Sequence, residues 1–218
     1  SCTAENPIGS HLCVDRSEIM RIYSTSGTTG TPSYIPLTAR DLENWVTTSA
    51  RSYSASGVEA GQRIVSTYNA GPFVAGAALA AFDKLAMCHI PVGTGNTERL
   101  MTAIRLLKPE AVVLTPSYAA YLIEWAAEKD FDLKGSSVRR VLVAGEPGGG
   151  EPAFRKKLEE GWGARVTEAM GIGDGDQAIV PDMTFISSVT SAMRLGATPV
   201  FGDITLTEPN IHAGVKYM

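Results

Sequence analysis

Between residues 63 and 167, short apolar runs alternate with longer stretches of mixed polarity, and that rhythm sets the expected fold. Arg63-Ile64-Val65-Ser66-Thr67-Tyr68 reads as a strand. Residues 74–84 are rich in small residues and read as a helix packed tightly on a sheet. Residues 87–92 form a second strand. Asn96 or Thr97, with Thr94 in competition, caps a helix to Leu107 that carries Glu98 and Arg99 in its first turn. Pro109 closes that helix, Ala111-Val112-Val113-Leu114 is a buried strand, and Pro116 opens a helix to about Glu128. A strand over 138–144, a helix over 152–160 and a strand over 164–167 continue the series. Strand and helix alternating at this spacing predict an α/β fold, a mainly parallel sheet with helices on both faces. Ligand sites in such sheets lie beyond the carboxyl ends of the strands. Two places therefore draw attention, Gly145-Glu146-Pro147 and residues 171–174. Gly148-Gly149-Gly150 reads as a flexible hinge or turn, not a linker, since the rhythm continues across it.

Composition narrows the class. The chain has 218 residues, 44% hydrophobic and 19% charged, which suits one globular domain or one plus a piece. The formal net charge of −4 comes without any basic run or stripe, so no nucleic-acid partner is expected. It leaves anionic ligands open, because the field inside a pocket governs their binding. Three widely spaced cysteines, Cys2, Cys13 and Cys88, form no metal pattern and suggest free thiols in a reducing compartment. Cys88, in an apolar run, reads as a buried structural thiol. No secretory leader is visible, and the longest apolar stretch, 73–82, is too short to cross a bilayer. No membrane partner is expected, and the cytoplasm is the expected compartment. His11, His89 and His212 have no spacing that suggests a triad or a metal site.

The densest chemical signal is Tyr23-Ser24-Thr25-Ser26-Gly27-Thr28-Thr29-Gly30-Thr31-Pro32, placed after the apolar residues Ile19, Met20 and Ile22. Glycines let backbone amides turn inward and approach a ligand closely. Successive amides, joined by hydroxyl donors, make a concave anion site. This is not the Walker pattern, since no Lys-Ser/Thr pair follows the second glycine. By composition alone, a Ser/Thr-rich surface loop is the alternative.

Ser26-Gly27-Thr28-Thr29-Gly30-Thr31-Pro32 resembles the phosphate loop of the adenylate-forming (acyl-CoA synthetase) superfamily. Arg21-Ile22-Tyr23, Tyr68-Asn69-Ala70-Gly71-Pro72-Phe73, Pro91-Val92-Gly93-Thr94-Gly95-Asn96-Thr97-Glu98-Arg99 and Thr115-Pro116-Ser117-Tyr118 resemble its phenylacetate–CoA ligase branch. The likeness runs from about Asn6 to about Asp174. It implies that Ser26, Gly27, Thr28, Thr29, Gly30 and Thr31 hold the β- and γ-phosphates of ATP. Thr31 and Ser33 stand where many members carry lysine, which removes cationic help. Gly145, Glu146 and Pro147 match the segment whose backbone packs along adenine; a plain strand-to-helix turn is the alternative. Met170, Gly171, Gly173 and Asp174 match the segment that contacts the α-phosphate, with Met170 in place of an aromatic residue, Gly173 of threonine and Asp174 of glutamate. A Met-Gly-Ile-Gly-Asp version occurs in this branch. Asp174 then becomes the Mg²⁺ ligand, consistent with that ion's preference for one or two carboxylates plus phosphate oxygens, or else a solvated turn aspartate. Tyr68 and Phe73 line the acyl pocket, or pack in the core.

The text changes after Asp174. Thr184-Phe185-Ile186 and Gly196-Ala197-Thr198-Pro199-Val200-Phe201-Gly202-Asp203-Ile204, through about Ile211, resemble an interior strand–helix–strand of the pyridoxal-phosphate sugar aminotransferases. The Gly-Ile-Gly-Asp text is shared by both families and makes a natural junction, as in a gene fusion or an assembly chimera. In the aminotransferase family the Schiff-base lysine and the ring-nitrogen carboxylate lie downstream of the matched stretch, and Lys216 has no supporting motif. The ligase family's ribose-binding aspartate, hinge and C-terminal domain also have no match in 178–218. The expected organisation is therefore an adenylate-forming domain fragment over 1–174 and a tail over 175–218. In that tail, strands at 177–180 and 198–201 flank a helix at 184–195 capped by Asp182, docked on the first part or trailing it. The implied activity is ATP-dependent, AMP-forming ligation of an aryl or arylacetic acid to coenzyme A, by a chain that is incomplete. A non-catalytic nucleotide-binding remnant and an aminotransferase fragment are the rivals. The implied small molecules are ATP, Mg²⁺, coenzyme A and a carboxylic acid. The oligomeric state is left open, with a homodimer among the options.

Overall fold

The computed structural model describes residues 6–8, 12–24, 34–68, 75–146 and 148–169, and the strands at 177–181 and 198–202. The chain divides into two units, Ser1–Ala169 and Met170–Met218.

The first unit begins with an antiparallel pair, β1 (Ile19–Ser24) and β2 (Tyr34–Thr38), whose ladder runs from Ile19 opposite Thr38 to Ser24 opposite Tyr34. Next come α1 (Ala39–Ala55), β3 (Arg63–Ser66), the short helices α2 (Ala75–Leu79) and α3 (Ala81–Lys84), and β4 (Cys88–Pro91). The series continues with α4 (Thr97–Leu107), β5 (Ala111–Leu114), α5 (Pro116–Glu128), β6 (Arg140–Ala144), α6 (Pro152–Trp162) and β7 (Arg165–Ala169). Strands β3 to β7 form one parallel sheet in the order β4-β3-β5-β6-β7. The expected α/β class is what is found, with α1 to α3 on one face and α4 to α6 on the other.

The central strand shows why the sheet is two-sided. All four residues of β5 are buried. Side chains alternate between faces along a strand, so Val112 and Leu114 join the core under α4 to α6, while Ala111 and Val113 join the core under α1 to α3. Trp162 closes the first core with no exposed surface, and its indole nitrogen donates to Ala119 O at 3.1 Å. Burying a side chain of this kind stabilises by about 1.5–3 kcal/mol.

Helix starts follow the sequence signals. Asn96 caps α4 by accepting the Arg99 amide at 2.8 Å, which settles the choice among Thr94, Asn96 and Thr97. Thr115 and Pro116 open α5. The helix expected over 74–84 is instead two short ones meeting at Ala80, and nothing in the sequence marks that break. Neither α1 nor β2 was expected. Among the described residues no helix is long and apolar enough to cross a membrane. In the second unit, β8 (Gln177–Pro181) and β9 (Thr198–Gly202) pair in parallel, Gln177 opposite Thr198. Asp182 and the helix expected at 184–195 lie outside the described residues.

Candidate functional site

The direction in which successive strands are added to the sheet reverses between β3 and β5: β4 lies on one side of β3, while β5, β6 and β7 follow on the other. Crevices at such switch points, at the carboxyl ends of the strands, are where open α/β sheets bind ligands. Tyr68 sits there, two residues beyond β3. Its hydroxyl is shared between Leu114 O at 2.9 Å and Ala144 O at 2.6 Å, the last carbonyls of β5 and β6. The phenol therefore ties two strand ends together while its ring stands as a wall. Burial pushes its pKa up, so it stays a neutral donor.

Gly145 follows β6 at φ 88°, a conformation that side-chain-bearing residues rarely adopt. A Cβ there would lie 3.8 Å from Thr115 and 3.9 Å from Tyr68, so the backbone angle, not crowding, requires glycine. The Glu146 carboxylate accepts from the Ser117 hydroxyl at 2.5 Å and the Ser117 amide at 3.3 Å, at the start of α5. It serves the helix end, where a negative charge is favoured.

The glycine-rich segment after it is a fixed turn. The Gly149 amide donates to Glu168 Oε1 at 3.1 Å, and its carbonyl accepts from Arg155 Nε at 2.9 Å. A Cβ on Gly149 would lie 2.4 Å from Val143 Cγ2. The glycine there serves close packing against β6 and not mobility, which corrects the hinge half of the expectation.

Between α1 and the sheet lies a cavity of about 250 Å³. Trp45 and Tyr53 of α1, Leu79 of α2, Val113 of β5 and Leu142 of β6 supply apolar walls, with Tyr68, Gly145 and Thr167 also on its lining. The walls follow from strand register. Leu142 stands opposite Thr167, and Ala144 opposite Ala169, so these residues share one face of the sheet. Tyr53 leans on Phe82 with ring centroids 4.7 Å apart, and its desolvated phenol is pushed up to about 12. Such a space, apolar with a few polar groups, fits a ring or short hydrocarbon with one polar end.

Of the residues expected to act, the structure brings Tyr68 and Gly145 to one cavity and places Glu146 beside them. Ser26, Gly27, Thr28, Thr29, Gly30, Thr31, Phe73, Pro147, Met170, Gly171, Gly173 and Asp174 lie outside the described residues. The hydroxyl-rich segment connects β1 to β2, whose last pair is Ser24 and Tyr34. Among the described residues no group of three or more His, Cys, Asp or Glu side chains is placed to hold a metal.

Sequence reasoning missed Trp45, Tyr53, Val113, Leu142 and Thr167 as cavity walls, and Glu168 as the carboxylate that holds the Gly149 turn. Register would have found Leu142 and Thr167 once β6 and β7 were paired. Cys88 is exposed, not buried, because β4 is an edge strand and this residue heads it. His89 makes a structural contact: its Nε2 lies 2.7 Å from the buried Ser66 hydroxyl, and its ring is 4.9 Å from Phe82. Burial holds its pKa below the usual histidine value, against a smaller opposing pull from Asp83.

Known proteins resemble the two parts of the chain differently. The "Phenylacetate-coenzyme A ligase" of Thermus thermophilus is 34% identical over 164 residues, covering 75% of this chain and 36% of that relative. The structure of an open conformation of 2-hydroxyisobutyryl-CoA ligase, in complex with 2-HIB-AMP and CoA, superposes with a TM-score of 0.70 at 28% identity. That match covers 77% of this chain and 40% of the other. Residues 165–214 match the DegT/DnrJ/EryC1/StrS aminotransferase family. The "GDP-perosamine synthase" of Caulobacter vibrioides is 57% identical over 35 residues, 16% of this chain and 9% of that relative. The chain thus spans little more than a third of the length of the curated ligases it matches.

Proposed function

We propose, since about three quarters of the chain resembles phenylacetate–CoA ligases in sequence and an acyl-CoA ligase in fold, that this part of the chain binds ATP and an aryl or arylacetic acid for AMP-forming ligation to coenzyme A. In that reaction a carboxylate attacks the α-phosphate of ATP, giving an acyl-adenylate and pyrophosphate. The thiol of coenzyme A then displaces AMP. The observation that carries the reading is the cavity that opens beside Gly145 under Tyr68. An apolar cavity of about 150 Å³ accommodates benzene, so about 250 Å³ accommodates a ring with a short acid arm.

In this reading the acid's ring lies between Trp45, Tyr53 and Leu142, and its carboxylate lies at the cavity mouth. Gly145 offers unshielded backbone to the adenine, and the tie through Tyr68 keeps the ends of β5 and β6 at fixed spacing. Positioning of this kind converts a bimolecular attack into one between held groups. Ser26, Gly27, Thr28, Thr29, Gly30 and Thr31 are the proposed phosphate donors, and Asp174 is the proposed Mg²⁺ ligand. Pro147, Met170, Gly171 and Gly173 complete the proposed nucleotide contacts, and Phe73 the acyl wall. In this reading the residues of the aminotransferase match that lie beyond Asp174 have no part in this chemistry.

Pyrophosphate release in the presence of phenylacetate, ATP and Mg²⁺ tests the reading. Release that needs both the acid and ATP supports ligase chemistry. ATP binding that disappears in a Thr28→Val/Thr29→Val double variant, without release under any condition, reduces the function to nucleotide binding. Absence of both sinks the proposal.

A further inference from the structure

Thr167 is the odd member of the cavity wall. It lies on β7 opposite Leu142 of β6, on the face that lines the cavity. Its hydroxyl is buried and has no hydrogen-bond partner among the described residues. Two other hydroxyls of the wall are engaged: Ser56 Oγ donates to Ser52 O at 3.0 Å, and Tyr68 donates to Ala144 O at 2.6 Å. An unpaired buried hydroxyl destabilises a fold, and valine has the same shape without that penalty. Threonine at this point makes physical sense if its partner arrives with the ligand.

Depth in the cavity says which part of the ligand that partner is. Ala169 pairs with Ala144, the residue before Gly145 at the carboxyl ends of the strands, and Thr167 lies two residues further down the strand. Two strand residues span about 6.6 Å, comparable to the reach of an arylacetic acid from its carboxylate to the para position of its ring. Volume agrees. Relative to the cavity of about 150 Å³ that accommodates benzene, the space of about 250 Å³ admits a ring, a short arm and one small substituent.

Resting on the acyl-pocket reading above, we propose that Thr167 is a specificity-determining residue whose hydroxyl pairs with a para-hydroxyl on the ring of the acid. The preferred substrate class is thus para-hydroxylated aryl acids over unsubstituted ones. Hydroxyl to hydroxyl is the pairing that either proton orientation satisfies.

Calorimetric titration of the full chain with phenylacetate and with 4-hydroxyphenylacetate tests this, in wild type, Thr167→Val and Thr167→Ser. The wild type is expected to bind the hydroxylated acid roughly three- to tenfold more tightly, the worth of one net hydrogen bond. Thr167→Val should bring the two acids within twofold of each other while holding phenylacetate at least as well. Thr167→Ser should keep the preference. The thermal midpoint of the free Thr167→Val protein should be equal to or above that of wild type. A wild type without preference, a preference that survives in Thr167→Val, or a Thr167→Val protein that is destabilised or unfolded overturns the proposal and leaves the acyl-pocket reading standing. Saturable binding of neither acid removes the acyl-pocket reading itself, and this inference with it.

Discussion

Tyr68 does two things that substitution can separate. Tyr68→Phe keeps the ring that walls the cavity and removes the donor shared by Leu114 O and Ala144 O. The expected loss is about 1 kcal/mol of folding stability, read from denaturant midpoints, with weaker acid binding because the strand ends are no longer tied. Unchanged stability would mean that the bond contributes nothing net. At Gly145 the cost lies in backbone angle. Gly145→Ala is expected to destabilise by about 1–3 kcal/mol for holding a side-chain-bearing residue at positive φ, although the added methyl meets only ordinary contacts. His89 supplies a pH signature. Its folded-state pKa lies below the usual value of 6.5 because the ring is buried. As pH falls below about 6.5, the unfolded chain takes up a proton that the folded chain resists, so stability falls with pH in that range and is unaffected above it. Carboxylates whose pKa is lowered on folding, such as Asp41 and Glu110, act only at and below the ordinary carboxylate range, well under the histidine window. Comparing denaturation at pH 7.5 and 5.5 in wild type and His89→Gln isolates the histidine: the wild type should lose stability and the variant should lose less. Equal losses would contradict this assignment.

At the scale of elements, the turn between β6 and α6 holds the candidate adenine loop. Gly149→Ala would drive a methyl into Val143, and overpacking of this kind costs about 1–3 kcal/mol. A thermal midpoint unchanged by Gly149→Ala would show the turn to be looser than its hydrogen bonds with Glu168 and Arg155 imply. The parallel strands were legible in the sequence because β5 and its neighbours are short β-branched runs bounded by Pro109, Pro116 and glycines. Helix α1 was not, although its signals are present. Thr38 and Asp41 form a reciprocal cap, and Leu42, Trp45, Val46, Ala50 and Tyr53 fall on one helical face. Six Ser and Thr residues between 47 and 56, poor helix formers, obscure that stripe. The exposure of Cys88 was hidden for another reason: an apolar run does not reveal whether its strand lies at the centre or the edge of a sheet. Gly145 was legible as a cavity residue from its place after a strand, and Tyr68 from the motif around it. The opposite wall of the cavity comes from α1 and from cross-strand register, which no local motif records.

The whole molecule joins two kinds of sequence, one resembling ligases over 164 residues and one matching aminotransferases over 165–214. Its division into Ser1–Ala169 and Met170–Met218 leaves every residue of the cavity wall in the first unit. Acid binding should therefore be a property of that unit and indifferent to pyridoxal phosphate, which a titration repeated with the cofactor present would check. The central claim is that an aryl acid lies between α1 and the sheet. Intermolecular NMR contacts between the ring protons of phenylacetate and the protein's methyl groups measure this directly. Cross-peaks to Leu79, Val113 and Leu142, and none to Leu106 or Leu107 on the outside of α4, are the predicted result. Cross-peaks to surface methyls alone, or none under conditions where the acid saturates the protein, would contradict it.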